Sequence, residues 1–450
     1  MTQTLGTRWW RARVMVAMAA VFLAWPFALP AWAEINIQEV TSPGGIKAWL
    51  VEEHGIPFTA LEIRFLGGTS LDRPGKRGEV NLMTALIEEG AGDLDSQGFA
   101  AARDGLAAKF TFRSDLDGVG VSAQFLTENR DKAVGLLDAA LTKPRFDADA
   151  LERVRAQVVA GLQSDAKDPD AIAGKILQAR AYGAHPYGTS GDGTEDSVKA
   201  LTRDDMLAAF ANTVARDRIF VAAAGDINAA DLGVMLDRLL GDLPATGAAQ
   251  PGRVDLTTKG ALVQQDFPGP QSSISFYQGG IRFDDPDYFA AAVLNEILGG
   301  NGFSSRLMDE VREKRGLTYG IGTALVAYDH AEMLSGSLAT ANDKAAEAIQ
   351  VIRDVWAALA ANGVTQKELD DTKTYMTGAY PLRFDGNGTI ASLLVGMQVM
   401  GLPVEYPAMR NAKVAAVTLA DVKRVAGQLL TPDKLFFVVV GDAVGVKPAE

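Results

Sequence analysis

The chain repeats itself, and this restricts its fold more than its composition does. The segment LTRDDMLAAFANTVARDRIFVAAAGDI, Leu201 to Ile227, aligns without a gap on VTLADVKRVAGQLLTPDKLFFVVVGDA, Val417 to Ala443, 216 residues later. Thr202 pairs with Thr418, Asp205 with Asp421, Asp217 with Asp433, Gly225 with Gly441 and Asp226 with Asp442. Each copy opens with Thr-x-x-Asp, whose two side chains satisfy each other's backbone donors at a helix start. An amphipathic helix, a short turn and a β-rich apolar run closed by Gly-Asp follow. A second match, RFDADALERVRAQVVAG from Arg145 against GVTQKELDDTKTYMTGA from Gly363, lies at a slightly larger offset. The chain therefore reads as α+β, with two homologous domains, each a mainly antiparallel sheet covered by helices.

The boundaries follow from composition. GDLPATGAAQPGRVDLTTKG, residues 241–260, is rich in Gly, Pro and Ala and reads as a linker between an N-terminal domain at 34–240 and a C-terminal domain at 261–450. Within the first domain, GIKAWLVEEHGIPFTALEIRFLGGTS and KFTFRSDLDGVGVSAQF each read as a strand hairpin. Ahead of it, three arginines precede the apolar run VMVAMAAVFLAWPFALP and the small-x-small site Ala31, Trp32, Ala33. That is a secretory signal at 1–33, with cleavage expected after Ala33 and a periplasmic mature chain. The competing reading is an uncleaved anchor, against which Pro26 and Pro30 interrupt a run already short for a bilayer.

The net charge is −13, and three units more negative once the leader's arginines are removed. Such a chain is a poor partner for nucleic acid or anionic membranes, and no stable membrane insertion is expected after cleavage. With no cysteine it has neither disulfides nor thiolate chemistry.

Several stretches, in order, resemble the M16 peptidases, the insulinase and pitrilysin group. They are GIKAWLVEEHGIPF, GGTSLDRPGKRG, LTKPRFDADALERVR, AHPYGTSGDGTEDSVKALTRDDM and GNGFSSRLMDEVREKRGLTYGIGT, together with the paired Gly-Asp strand ends. The resemblance spans nearly the whole mature length and implies the same two-copy architecture. Active members carry His-x-x-Glu-His on the first helix, two zinc ligands on one face with a general base between them, and a later glutamate as third ligand. In GEVNLMTALIEEGAG those positions fall on Asn81, Thr84 and Ala85, and the later glutamate falls on Gly161. Asn and Thr replace neither a strong zinc ligand nor a base, and Ala and Gly offer no side-chain donor. No histidine occurs between His54 and His185, so a shifted alignment does not restore the motif. The helix keeps an apolar face in Val80, Met83 and Ile87, with Leu82 and Leu86.

The resemblance implies a different role for the second half. Arg312 and Tyr319 in VREKRGLTYGIG correspond to the arginine and tyrosine that active members direct at peptide carbonyls and at the tetrahedral oxyanion. Spacing alone also suits a solvated helix-end arginine and a core tyrosine. The expected protein is a subunit inactive on its own. It would bind no metal or cofactor itself and would pair, as a heterodimer, with a homologous His-x-x-Glu-His subunit that holds the zinc, for hydrolysis of peptides. The alternative is a peptide-binding or scaffolding protein with no proteolytic partner.

Other candidates read as structural. His54, His185 and His330 lack the short spacing of most zinc sites, and His185 in HPYG reads as ordering its turn. DLDSQGFAARD approaches a calcium loop only loosely, and Ser96 reads as the cap of a helix there. GTSGDGTEDS lacks the lysine of a phosphate loop, and no Gly-x-Ser-x-Gly elbow occurs.

Overall fold

The computed structural model describes residues 35–448 apart from 258, 301 and 303; the leader and its expected cleavage site lie outside them. From Ile37 onward the chain forms one compact unit. The N-terminal half contributes β1 (Gln38–Thr41), β2 (Lys47–Glu52), β3 (Phe58–Leu66), a small ribbon of β4 (Gly90–Ala91) and β5 (Leu94–Asp95), then β6 (Lys109–Ser114), β7 (Gly118–Leu126) and β8 (Ile219–Gly225). The C-terminal half contributes β9 (Leu262–Gln265), β10 (Gln271–Gly279), β11 (Thr318–Ala327), β12 (Glu332–Ala341) and β13 (Phe436–Val440).

The main sheets run β1-β2-β8-β3-β7-β6 and β9-β13-β10-β12-β11. Apart from β1 they have one topology, with a parallel pair at β2/β8 and at β9/β13 and antiparallel pairing elsewhere. The repeat is visible down to its caps. Thr202 with Asp205, and Thr418 with Asp421, each close a capping box. Gly225 and Gly441 end their strands at φ 125° and 150°. A Cβ on Gly225 would meet the Phe58 carbonyl oxygen at 2.3 Å and one on Gly441 the Ser272 hydroxyl at 2.4 Å, so only glycine fits at either place.

One expectation fails. β2 and β3 are not a hairpin, because β8, some 150 residues downstream, lies between them, parallel to β2 and antiparallel to β3. The link between β2 and β3 therefore steps over a strand, and both strands satisfy their backbone groups on β8 instead of on each other. The second expected hairpin, β6 with β7, is present.

The helices cover the sheets in an unexpected way. One face of each sheet packs on helices of its own half, but the opposite face is covered by a helix of the other half. Helix Pro169–Tyr182 lies on β10 and β13, and its repeat counterpart Asn387–Val399 lies on β8, β3 and β2. At one seam Ala173, Ala181 and Tyr187 pack with Tyr277, Val438 and Val440. At the other, Leu394, Val395 and Met397 pack with Trp49 and Ala222. Ala60, Ala224 and Ala391, each at most 1% exposed, let helix and sheet approach closely there. At roughly 1.5–3 kcal/mol per buried apolar side chain, a handful of such residues matches the net stability of a whole domain, about 5–15 kcal/mol. Neither half therefore opens without exposing a core.

A chain starting at Glu34 keeps two tryptophans, Trp49 in one half and Trp356 in the other, so each half has a fluorescent reporter. Overpacking the seam with Ala391→Leu is expected to cost about 1–3 kcal/mol, lowering the urea midpoint. Trp49→Phe and Trp356→Phe backgrounds should show the same shift in a single transition. Two separate transitions, with only one moved, would show that the halves are not coupled.

Candidate functional site

The helix Glu79–Leu86, which carries three of the four degenerate positions, starts without a side-chain cap of its own, and Gly78 precedes it at φ 93°. Its orphan amides are met by a carboxylate from the preceding loop. Asp72, 1% exposed at its side chain, accepts from the Gly78 and Val80 N–H groups at 2.8 and 2.9 Å. Burial pushes the Asp72 carboxyl up to about 6, against the pull of those two amides and of Arg77. Arg77 in turn donates to Asp72, to the Thr69 carbonyl, and to Ser190, Pro186 and Thr189 carbonyls at 2.6–3.0 Å. Glu79, fully buried, accepts from the Arg73 N–H and guanidinium. Arg73 and Lys76 both reach Asp205 at 2.8 Å. Against its burial, bonds from Lys76, Thr202 and Arg73 hold the Asp205 carboxyl far below the ordinary range.

Within that frame the degenerate positions do not assemble a metal site. The Asn81 amide donates to Asp192 at 3.2 Å, and the buried Thr84 hydroxyl donates back to the Val80 carbonyl at 2.8 Å. Ala85 is exposed. Gly161 lies exposed on helix Ala148–Asp165, which packs against the first helix. The donor set does not fit zinc: one amide, one hydroxyl already bonded to its own helix, and two positions with no donor. Val80, Leu82, Met83, Leu86 and Ile87 are all buried, so the apolar face persists where the ligands do not.

The histidines are also engaged structurally. His54 pairs with Asp226 at 2.7 Å and Glu52 at 3.3 Å. His185 Nδ1 accepts from the Tyr187 N–H at 3.2 Å and its Nε2 donates to the Gly252 carbonyl at 3.0 Å, which orders its turn. Among the described residues no three His, Asp or Glu side chains are placed to hold a metal. A cavity of 490 Å³ between the halves is lined by Arg64, Arg113, Arg253 and Arg282. All four guanidiniums are already paired, with Asp115, Glu62, Glu332 and Asp284 in that order.

The second half differs from the first in its backbone. Arg312 lies in a π-helical stretch, Met308–Glu313, where the Lys314 N–H reaches back five residues to the Asp309 carbonyl at 2.9 Å. Gly316, at φ 61°, ends it and donates to the Arg312 carbonyl at 2.8 Å. The guanidinium of Arg312 is half-buried and lies 2.8 Å from Glu313. This stretch packs on β11, at whose start Tyr319 stands 89% exposed. The pairing of β11 with β12 slips there: Thr318 faces Thr340 but Ile321 faces Leu338, leaving one residue extra on β11. The corresponding pieces of the first half are regular. β6 and β7 pair without a shift, and the counterpart helix Ser96–Gly105 is an ordinary α-helix. That helix is capped by Asp95, whose carboxylate accepts from the Gly98 N–H, and not by Ser96, which begins the helix and bonds Glu89. Carboxylate and hydroxyl compete for the same role in that turn, and the residue with extended φ/ψ, Asp95, takes it.

The slip was not read from the sequence, although Gly320 directly after the tyrosine is its signature. Also missed were the Asp72–Arg77 clamp and the anchor of the π stretch. Arg306, two residues before that stretch, forks onto Glu368 at 2.7 and 2.9 Å and reaches the Gly363 carbonyl at 3.2 Å. Glu368 is also the third residue of the capping box opened by Thr365.

Comparison with known proteins gives a consistent picture. Residues 200–376 match the family described as the peptidase M16 inactive domain. A crystal structure of a peptidase M16 inactive domain from Pseudomonas fluorescens is 32% identical and superposes with a TM-score of 0.85, over 92% of this chain and 100% of that one. A non-peptidase homolog from Helicobacter pylori is 25% identical over 87% of this chain and 90% of its own. An uncharacterized zinc protease from Mycobacterium leprae is 25% identical over 88% and 89% of the two chains.

The Arg306 fork, helped by Thr365, depresses the Glu368 carboxyl from 4.5 to about 2. A depressed folded value stabilises the protein above the unfolded value and loses that contribution as pH falls from about 4.5 towards 2. Glu368→Gln is expected to lower stability at neutral pH and to flatten the loss over that acid window. Parallel urea midpoints of the two proteins from pH 5 to pH 2 would count against the pairing.

Proposed function

Because the chain belongs to the M16 peptidase family and carries Asn81, Thr84, Ala85 and Gly161 where that family keeps its zinc ligands and base, we propose that it is a non-catalytic subunit exported to the periplasm. There it pairs with a homologous subunit bearing an intact His-x-x-Glu-His motif. The partner supplies zinc and the general base. This chain supplies Arg312, Tyr319 and half of the enclosure around a peptide.

The observation that carries the reading is the placement of Tyr319. A tyrosine at 89% exposure on an edge strand contributes little to the core it could have joined, and its phenol is free to reach another chain. Two backbone irregularities of kinds enriched at functional sites, a π turn and a strand bulge, flank Arg312 and Tyr319. The counterpart elements of the first half have neither. Chemically, a guanidinium and a phenol donate to peptide carbonyls without accepting protons themselves. Held rigidly, they favour the oxyanion over the carbonyl, which lowers the barrier and not merely the Michaelis constant. A trough of 600 Å³ beside β11 and β12, lined by Gly299, Gly320, Gly322 and Gly336 with Tyr182 and Met308, leaves room for an extended peptide.

The test is to purify this chain alone and with a co-expressed His-x-x-Glu-His homologue and assay a quenched peptide. Activity is expected only in the pair. Arg312→Ala or Tyr319→Phe should lower kcat ~10²–10³-fold with the pair still assembled. Zinc-dependent activity of this chain alone would refute the proposal. Stable peptide binding with no activity in any pairing would favour a scaffolding role.

A further inference from the structure

We propose that Thr318 and Met308 are positioning residues for Tyr319, and that the bulge they hold open in β11 is what aims the phenol outward. The inference rests on the role of Tyr319 given above. Among the described residues β11 is the edge of its sheet and pairs with β12 alone. Between the pairs Thr318–Thr340 and Ile321–Leu338, Tyr319 and Gly320 share a single residue opposite, Ala339. In a regular strand, residues two apart share a face. Continued regularly from the Ile321–Leu338 pair, the strand would put Tyr319 on the side of Ile321, which is 6% exposed. The extra residue instead places Thr318, opposite the buried Thr340, on that side and leaves Tyr319 facing away.

A bulge leaves backbone groups without ladder partners, and buried ones must be met by something else. Here three side chains meet them. The Gly320 N–H donates to Thr318 Oγ1 at 3.2 Å, and the Thr318 hydroxyl donates in turn to a carbonyl, with Ala339 at 2.7 Å and Gly320 at 2.8 Å. The Thr340 hydroxyl donates to the Leu317 carbonyl at 2.6 Å. The Ile321 N–H lies 3.5 Å from Met308 Sδ. Thr318 and Met308 are 9% and 7% exposed, so water does not readily replace either. Thr318 uses both capacities of a hydroxyl, accepting from one side of the bulge and donating to the other. Met308 opens the π stretch that carries Arg312, so one weak contact joins the backbone of the arginine to that of the tyrosine.

The experiment uses the assembled pair with its His-x-x-Glu-His subunit and a quenched peptide. Thr318→Val keeps the shape and removes the hydroxyl. It is expected to lower kcat ~10²-fold, the scale of a small misplacement, with KM near the wild-type value. Thr318→Ser should restore most of the loss. Amide hydrogen exchange should speed up at Gly320 and Ile321 in Thr318→Val, and at Ile321 in Met308→Leu, while the rest of the sheet is unchanged. Wild-type kcat in Thr318→Val alongside an inactive Tyr319→Phe would overturn the positioning claim alone, as would unchanged exchange at both amides. Full activity of Tyr319→Phe would remove the underlying role of the tyrosine and this inference with it. Should Thr318→Val fail to fold, kcat and exchange in Met308→Leu decide the same question.

Discussion

The rest of the structure depends on the reciprocal exchange of one helix between the halves. Each sheet has an apolar face that its own helices leave bare, and the other half's copy of the same helix packs on it. The small residues at one seam, Ala60, Ala224 and Ala391, show that the approach is close and not lubricated by long side chains. A half separated from the other would expose that face to water. The first half, whatever its zinc-motif positions carry, is thus bound into the fold by its packing, because losing it would uncover Tyr277, Val438 and Val440 in the half that holds Arg312 and Tyr319.

That constraint also explains what happened to the first helix. The positions buried in the core, Val80, Leu82, Met83, Leu86 and Ile87, are held by the cost of a cavity, a few kcal/mol for each large-to-small change. The outward positions 81 and 85 bear no such cost, and Asn and Ala stand there. Meanwhile the helix start is tied down by buried charge. Asp72, Glu79 and Asp205 face Arg73, Lys76 and Arg77, and removing Arg73 or Arg77 would strand a buried carboxylate. The departure from the zinc motif is therefore local: the frame around those positions still holds a helix.

What could be read from the sequence was what is encoded locally. Thr-x-x-Asp is a complete instruction for a helix start, so both capping boxes were legible, and so was the repeat they belong to. Gly225 and Gly441 were legible as strand ends because only glycine tolerates their φ and the oxygen that crowds each of them. The insertion of β8 between β2 and β3 was not, because the partners are some 150 residues apart and nothing in HGIPF distinguishes a hairpin from a step across a gap. The exchanged helices were equally silent. Pro169–Tyr182 buries only Ala173, Ala181 and Tyr182 fully, and its small side chains carry no pattern that names the far half as their destination. At the candidate site, Arg312 and Tyr319 came from resemblance, whereas the bulge that orients the tyrosine depends on a pairing with β12 that no single segment reveals.

The asymmetry between the halves is the strongest physical argument about where function resides. The two copies of one topology have corresponding hairpins, each with a helical stretch before it. In the first half both are regular, and regularity is the default because it satisfies every backbone group at no added cost. In the second half a π turn and a bulge have displaced regular geometry, and three side chains, Thr318, Thr340 and Met308, are committed to satisfying the groups left over. Continued regularly from Ile321, β11 would put Tyr319 on the core side; the extra residue gives that place to Thr318, opposite Thr340, and forgoes the hydrophobic contribution of a large side chain, about 1.5–3 kcal/mol. That the fold forgoes this burial and satisfies the alternative from three directions is the physical ground for the proposed role of the exposed ring beyond this chain.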